Sequence, residues 1–173
     1  CKQGPLTLRG SEFACGGCPA RYPILNGKLC FTKHADKDMR QYEMEATTFV
    51  NRLKKLVKEW PAVFVFLTYA IGSVSFLGQK PRKTIEKLYG AKAGEKLIVN
   101  VGSGITKVHP AVINLDIFPF RNVDIVADAA ALPFRDNSLD MLISESTLEH
   151  TLHAEEAMRE MRRVVRPGGF VYI

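Results

Sequence analysis

The stretch that most constrains the fold of this chain runs from Lys96 to Asp116. It contains an apolar run ending at Val101, a Gly102-Ser103-Gly104 turn, a short connector and a second apolar run that leads into Asp116. This order predicts a buried strand, a glycine turn and a second buried strand ending in a carboxylate. In open parallel sheets, ligands bind at the carboxyl ends of the strands, where glycines let the backbone approach closely. The stretch therefore predicts a nucleotide-type pocket, with Asp116 placed to accept hydrogen bonds from a ribose diol.

The composition is that of a soluble globular protein, with 46% hydrophobic and 24% charged residues. A formal net charge of +6 is mildly basic and favours a solvated, lysine-rich surface over a nucleic-acid or anionic-lipid partner. No signal peptide is evident, because the N-terminus is polar and lacks an apolar core segment. All four cysteines lie near the N-terminus, which favours a metal site over a disulfide framework. The same clustering predicts a cytoplasmic location.

From residue 96 onward, runs typical of strands alternate with runs typical of helices. The predicted strands are 96–101, 112–116, 123–127 and 139–144, with a fifth beginning at Phe170. A helix is predicted over 154–165, where apolar residues recur at helical spacing before Pro167-Gly168-Gly169 ends it. Alternation of this kind predicts an α/β fold, with a Rossmann-like parallel sheet and flanking helices.

The connector between the first two of these strands is short. Eleven residues lie between Gly104 and Asp116, whereas a dinucleotide-binding fold places its acidic residue about twenty residues after the glycines. We therefore expect a first crossover helix of a turn or two at most, with Pro110 ending it. The short connector also argues against a nicotinamide-binding site and leaves NAD or a nucleotide sugar as a minor alternative.

Six motifs follow one another in this half of the chain. They are Val101-Gly102-Ser103-Gly104, Asn114-Leu115-Asp116, Asp128-Ala129 with Leu132-Pro133-Phe134, Asp136 to Ser144, Leu148-Glu149-His150, and Arg163 to Gly169. In this order they resemble the class I S-adenosylmethionine-dependent methyltransferases of the type-11 group. The resemblance implies S-adenosylmethionine as the methyl donor and an enzyme that transfers its methyl group.

The resemblance also implies which residues hold the donor. Asp116 corresponds to the acidic strand end that holds the ribose, and Asp128-Ala129 to the loop that contacts the adenine. The full set of expected donor-binding residues is Val101, Gly102, Ser103, Gly104, Asp116, Ile117, Asp128, Ala129, Ser144 and Glu145. Asn100 stands where the family usually has an acidic residue, which predicts the loss of one electrostatic contact toward the sulfonium end.

His150 is the candidate general base, because it follows the fourth predicted strand at the mouth of the pocket. Methyl transfer from a sulfonium is an in-line displacement that depends mainly on positioning of the acceptor. A base is needed only where the acceptor must lose a proton. The alternative role of His150 is to cap or pack the following helix.

The N-terminal residues contain a candidate zinc site. Cys15-Gly16-Gly17-Cys18 is a CxxC knuckle, whose two thiolates can occupy adjacent corners of a zinc tetrahedron. Cys1 is a third candidate ligand, and Cys30 is more typical of a small buried hydrophobe. Together with the Tyr22-to-Gly27 signature, these residues resemble the zinc ribbons that activate tRNA and translation-factor methyltransferases. The resemblance implies a zinc-ribbon-like β module, with a metal-free ribbon as the alternative.

The predicted organisation has three parts. Residues 1–31 form the ribbon-like module, 32–94 a helical linker or cap segment, and 95–173 the methyltransferase domain. Within the middle part, 62–78 carries no charge and is slightly short for a transmembrane helix. We favour a buried or pocket-covering helix there over peripheral membrane contact, and both over a membrane span. Because both ends of the chain look cut, we expect a piece of a longer protein.

The methyl acceptor stays open at this stage. A small molecule, lipid or glycan is slightly favoured, because 62–78 is apolar and no aromatic-plus-basic platform for RNA is evident. RNA is the main alternative, since a ribbon fused to a methyltransferase also resembles enzymes that methylate a guanine in ribosomal RNA. A third alternative is a non-catalytic partner of another methyltransferase.

Overall fold

The computed structural model describes residues 4–25, 27–32, 60, 79–151 and 153–173. The strands of these residues are β1 (Leu6–Arg9), β2 (Glu12–Cys15), β3 (Arg21–Leu25), β4 (Lys28–Cys30), β5 (Ile98–Val101), β6 (Val112–Asp116), β7 (Ile125–Val126), β8 (Leu139–Ile143) and β9 (Val165–Tyr172). The α-helices are α1 (Pro81–Tyr89) and α2 (Ala154–Val164), and 3-10 turns lie at Gly90–Glu95, Ala129–Ala131 and Leu148–His150.

The described strands form one sheet in the order β1-β2-β3-β4-β7-β6-β5-β8-β9. Strands β1 to β4 pair antiparallel in chain order. From β4 onward every pairing along the sheet is parallel. The predicted α/β fold, with a parallel sheet from residue 96 onward and helices against it, is confirmed.

The centre of the sheet is buried on both faces. All four residues of β5 are buried, and its three apolar residues contribute to two hydrophobic clusters. Val99 and Val101 face a cluster that includes Met161 of α2. Ile98 faces a second cluster that includes Ile85 of α1. Because both faces are covered, the parallel strands read in the sequence as continuous apolar runs without alternation.

Two of the predicted elements need correction. The fifth strand begins at Val165, not at Phe170, so Pro167-Gly168-Gly169 lies inside β9. A register irregularity opposite Leu139 and Met141 accommodates these residues. Proline is tolerated at such bulges and on edge strands because its missing N–H leaves little of the ladder unpaired. The connector from Gly102 to Ala111 contains turns but no helix, so the predicted short crossover helix does not form.

Residues 6–30 continue the sheet instead of standing apart from it. Strand β4 pairs parallel with β7, in the register Leu29 to Ile125 and Cys30 to Val126. The Lys28 Nζ donates hydrogen bonds to the carbonyl oxygens of Phe120, Arg121 and Val123, at 2.7, 3.1 and 2.6 Å. Cys30 is 1% exposed and packs beside β7, as expected of a small buried hydrophobe. The division into three parts at residues 31 and 94 stays a prediction.

Several predictions for the middle of the chain lie outside the described residues. These concern most of the predicted helical linker or cap segment ahead of residue 79, including the apolar segment 62–78. Among the residues that the structure does describe, no helix combines the length and apolar character that a membrane crossing requires.

Candidate functional site

A cavity of about 860 Å³ opens where the carboxyl ends of β5, β6, β7 and β8 meet. The parallel pairing brings these ends to one edge of the sheet, and the loops after them form the walls. The volume is within the range of small-molecule sites. The location is that expected for a ligand in an open parallel sheet.

Most residues predicted to bind the donor line this cavity. Val101, Gly102, Ser103, Gly104, Asp116, Ile117, Asp128, Ala129 and Glu145 are among the lining residues, as is His150. Ser144 is not among them: it is 1% exposed, and its backbone N–H donates to the Tyr172 carbonyl at 2.8 Å. The structure thus brings the predicted residues together with that exception, while their binding roles stay predictions.

Several lining residues were not singled out by the sequence. Phe118 and Phe120 supply aromatic surface beside Asp116, and Thr147 follows β8. The run Ile117-Phe118-Pro119-Phe120 directly after the Asp116 strand end was a usable signal for the aromatic wall. No spacing rule points to Thr147, because its contact with the glycine turn is made only in the folded chain.

The glycine turn is held in a conformation that side chains resist. Gly102 has φ +69° and Gly104 has φ +56°, both in the left-handed region. A Cβ on Gly102 would lie 2.2 Å from the Oγ1 of Thr147. That hydroxyl donates a hydrogen bond to the Val101 carbonyl at 3.1 Å, so Thr147 is fixed against the turn. Gly102 is therefore required both by its φ angle and by this close contact.

Asp116 ties the second strand to the glycine turn. Its Oδ2 accepts a hydrogen bond from the Gly104 N–H at 2.8 Å, and its Oδ1 accepts from the Phe118 N–H at 2.9 Å. The residue is only 7% exposed. A carboxylate has about four acceptor sites, more than these two backbone bonds occupy. Asp116 can therefore hold the turn and still accept from a ligand hydroxyl.

The loop after β7 is fixed in a similar way. The Asp128 Oδ1 accepts a hydrogen bond from the Ala130 N–H at 2.8 Å and caps the 3-10 turn Ala129–Ala131. Behind the loop, Arg163 of α2 donates to the carbonyl oxygens of Phe134 and Leu132, at 2.9 and 3.1 Å. These bonds hold the Asp128-Ala129 edge in place at the cavity.

Glu145 and His150 line the β8 side of the cavity. Burial raises the pKa of the Glu145 carboxyl above its ordinary value. No hydrogen bond or ion pair to this carboxyl is found among the described residues. His150 ends an exposed 3-10 turn and lines the cavity. His153, not His150, occupies the N-cap position of α2, so the alternative role of His150 as a cap of that helix is wrong.

One buried hydroxyl in the cavity wall suits a polar ligand. The Ser103 Oγ has no hydrogen-bond partner in the described part of the chain, and the residue is 5% exposed. Buried polar atoms without partners are uncommon and call for an explanation such as a ligand. A polar group of a bound molecule at this wall would supply the missing partner.

The CxxC knuckle has the local geometry of a thiolate half-site. The N–H groups of Gly17 and Ala20 donate to the sulfurs of Cys15 and Cys18, each at 3.4 Å. The Gly17 bond in particular lowers the pKa of the Cys15 thiol, and the thiolate is the form that binds metals. Cys1 lies outside the described residues, within which no group of three or more candidate ligands is found.

Comparisons with known proteins match the part of the chain that supplies the described residues of the cavity. Residues 99–173 match the family model described as a methyltransferase domain. The ubiquinone/menaquinone biosynthesis C-methyltransferase UbiE of Coxiella burnetii is 35% identical over 92 residues, covering 53% of this chain and 36% of the relative. The UbiE of Pseudomonas fluorescens is 36% identical over 77 residues, covering 44% of this chain and 30% of the relative.

Among solved structures, a SAM-dependent methyltransferase from Thermotoga maritima is 20% identical at a TM-score of 0.45, covering 66% of this chain and 58% of that chain. This chain spans only a minor part of the length of the two curated relatives. The match to the family model covers the glycine turn, Asp116, the Asp128 loop and the β8 end. The similarity to a methyltransferase domain therefore lies in residues 99–173, the same part of the chain that supplies the described residues of the cavity.

Proposed function

We propose that the protein is an S-adenosylmethionine-dependent methyltransferase and that the cavity at the β5–β8 strand ends binds the donor. The observation that carries the proposal is the convergence of the glycine turn, Asp116, Asp128 and Glu145, from four separate strand ends, on one cavity. When bound, the donor supplies an electrophilic methyl group on a sulfonium. The chain's own residues bind and orient it and exclude water.

In this proposal each strand end has a distinct task. Gly102 and Gly104 allow the backbone to approach the ligand, and the orphan hydroxyl of Ser103 gains a partner there. Asp116 accepts from the ribose hydroxyls while it holds the Gly104 N–H. The Asp128-Ala129 edge contacts the adenine. His150, at the cavity mouth, is the candidate to accept a proton from an acceptor that must lose one.

For the acceptor we propose a small molecule or lipid in preference to RNA. The two curated relatives are named for C-methylation in quinone biosynthesis. The cavity offers aromatic and aliphatic walls at Phe118, Phe120 and Ile117. No lysine or arginine is among the lining residues that the structure describes, and phosphate-backbone recognition depends on such cations.

The test uses the full-length protein with methyl-labelled S-adenosylmethionine. Label should enter a small-molecule and lipid extract and not total RNA, and an Asp116→Ala variant should transfer much less. Label in RNA would move the acceptor to nucleic acid. Binding of S-adenosylhomocysteine without turnover on any extract would favour a non-catalytic partner. Absence of binding by the full-length protein would refute the proposal.

We also propose that Cys15 and Cys18 bind zinc in the intact protein, with Cys1 as a third ligand. The sulfur-directed N–H bonds and the lowered pKa of the Cys15 thiol support a metal-binding knuckle. In addition, a Cβ on Gly4 would lie 2.5 Å from the Gly17 nitrogen, so the chain ahead of β1 packs directly on the knuckle. Structural zinc sites need four ligands, so the ligand set must be completed elsewhere.

Metal analysis of the full-length protein checks the zinc proposal. We expect stoichiometric zinc in the wild type and a loss of zinc in Cys18→Ser. Cys30→Ala is the matched control, because Cys30 is buried against β7 and should leave the zinc content unchanged. Clearly substoichiometric zinc in freshly purified wild type would show that the ribbon is metal-free.

A further inference from the structure

Three carboxylates line the described part of the cavity, and they differ in their hydrogen bonding. Asp116 and Asp128 each accept backbone N–H hydrogen bonds. Glu145 has no such bond and no cationic partner in the described residues. It is half-buried, and within the described ranges no lysine or arginine lines the cavity. A partly desolvated carboxylate without a partner is costly unless a ligand supplies the missing interaction.

The sheet order places Glu145 at one end of the cavity. The strand ends follow one another as β7, β6, β5 and β8, so the lining residues run from Asp128 through Asp116 and Gly102 to Glu145. The register pairs Asn100 of β5 with Ile143 of β8, and two residues further on Glu145 comes level with Gly102. Three strand spacings separate the ends of this row, or about 14 Å.

The order of these lining residues along the cavity matches the order of base, ribose and amino-acid tail in an extended nucleoside that carries such a tail. With the adenine at Asp128 and the ribose at Asp116, the tail passes Gly102 and reaches the β8 end. The tail carries an α-ammonium group. Asn100, on the strand beside β8, is neutral, is 4% exposed and is not among the cavity residues, so it offers no charge to that ammonium.

We propose that Glu145 binds the α-ammonium group of the donor and is the negative charge of the amino-acid end of the site. This rests on the proposed function and deepens it by assigning one contact. The carboxylate is required in its ionised form, and the ligand's cation compensates its desolvation. The single Thr147 hydroxyl proton is shared between the carbonyl oxygens of Val101 and Glu145, at 3.1 and 3.2 Å, and so helps to hold the backbone of Glu145 beside the glycine turn.

Calorimetry on the full-length protein tests the contact with three ligands. S-adenosylmethionine and S-adenosylhomocysteine both carry the ammonium, whereas 5′-methylthioadenosine lacks the amino-acid tail. Glu145→Gln should raise the Kd of the first two alike, by roughly tenfold or more, because a hydrogen bond to a charged group is lost. The Kd of methylthioadenosine should not change. Glu149→Gln, an exposed carboxylate outside the cavity, is the matched control and should behave as wild type.

The pH dependence gives a second readout. Because burial raises the pKa of Glu145, wild-type affinity for S-adenosylhomocysteine should improve as pH rises through that pKa. The titration is followed at pH values below the ordinary α-amino pKa of about 7.7–8.0, where the ligand stays cationic. Asp116, Asp128, His150 and His153 line the same cavity, and Tyr172 adjoins Glu145. These groups are present in both proteins, so the component of the pH dependence that disappears in Glu145→Gln belongs to Glu145.

The outcomes separate this inference from the function on which it rests. Wild-type binding with an unchanged Kd in Glu145→Gln would overturn the inference and leave the donor site intact. A loss of affinity confined to S-adenosylmethionine would also overturn the inference, because it would point to a contact with the sulfonium. A loss of turnover at unchanged donor affinity would overturn it as well, because it would point to a role toward the acceptor. If the wild type bound none of the three ligands, the proposed function itself would fail. A melting temperature of Glu145→Gln no lower than that of wild type excludes misfolding as the cause of weak binding.

Discussion

The Asp116 end and the Glu145 end of the cavity use carboxylates in opposite ways. Asp116 is nearly buried, and both of its oxygens are engaged by backbone N–H groups that shape the cavity wall. Glu145 is half-buried, and its carboxylate has no such donors in the described residues. Asp116 should therefore matter to the stability of the fold as well as to the ligand, whereas Glu145 should matter mainly to the ligand. A stability measurement and a binding measurement on the same variants separate the two roles.

Asp116→Ala should have the largest effect on stability. It leaves the N–H groups of Gly104 and Phe118 without their acceptor, and we expect the free energy of unfolding to fall by about 3–4 kcal/mol. Urea denaturation of the full-length protein measures this. Asp116→Asn keeps an acceptor for one of the two N–H groups and should lose less. Equal stability of Asp116→Ala and wild type would show that these two bonds contribute little to the fold.

Gly102→Ala should have the second largest effect on the free energy of unfolding, because it disrupts the glycine turn that Asp116 holds. Alanine at a left-handed φ costs about 1–2 kcal/mol, and the added Cβ must also displace Thr147. We expect a total loss of about 2–3 kcal/mol from strain and overpacking together. Gly104→Ala is the control: its φ is also positive but no atom lies within 4 Å of the added Cβ, so it should cost only the backbone strain. Similar losses in both variants would mean that the Thr147 contact yields easily.

Features of the fold and of the cavity could be predicted from the sequence where the residues that determine them are close together in the chain. The strand ends carry glycines and acidic residues at fixed positions in short apolar runs, so the sequence was enough to find Gly102, Asp116 and the parallel sheet. The burial of Ser144 depends on its pairing with Tyr172 across two strands. The close contact of the Thr147 side chain with Gly102 joins residues 45 positions apart in the chain. Local patterns do not encode such contacts.

For the same reason, the sequence did not predict the pairing of β4 with β7, which joins the N-terminal strands to the parallel sheet. A strand of three residues, β4, carries little periodicity, and its partner β7 has only two. The Lys28 ammonium group anchors β4 beside β7 by donating to the carbonyl oxygens of Phe120, Arg121 and Val123. The sequence presents Lys28 as an ordinary surface lysine, and only the folded chain places it against those carbonyls.

The smallest expected effect concerns Glu145 and sharpens the contrast with Asp116. Glu145→Gln should change the free energy of unfolding in the absence of ligand by no more than about 0.5 kcal/mol near neutral pH.

The change of this stability difference with pH follows from the raised pKa of Glu145 in the folded protein. Because the folded protein binds the proton more tightly than the unfolded chain, wild-type stability should fall as pH rises from the unfolded pKa through the folded one. Glu145→Gln should lack that fall, so the difference between the two unfolding curves should shift in favour of the glutamine variant as pH rises. A stability of wild type that rises relative to Glu145→Gln over this window would mean that Glu145 has a favourable partner in the folded protein, as Asp116 does, and that the two ends of the cavity are built alike.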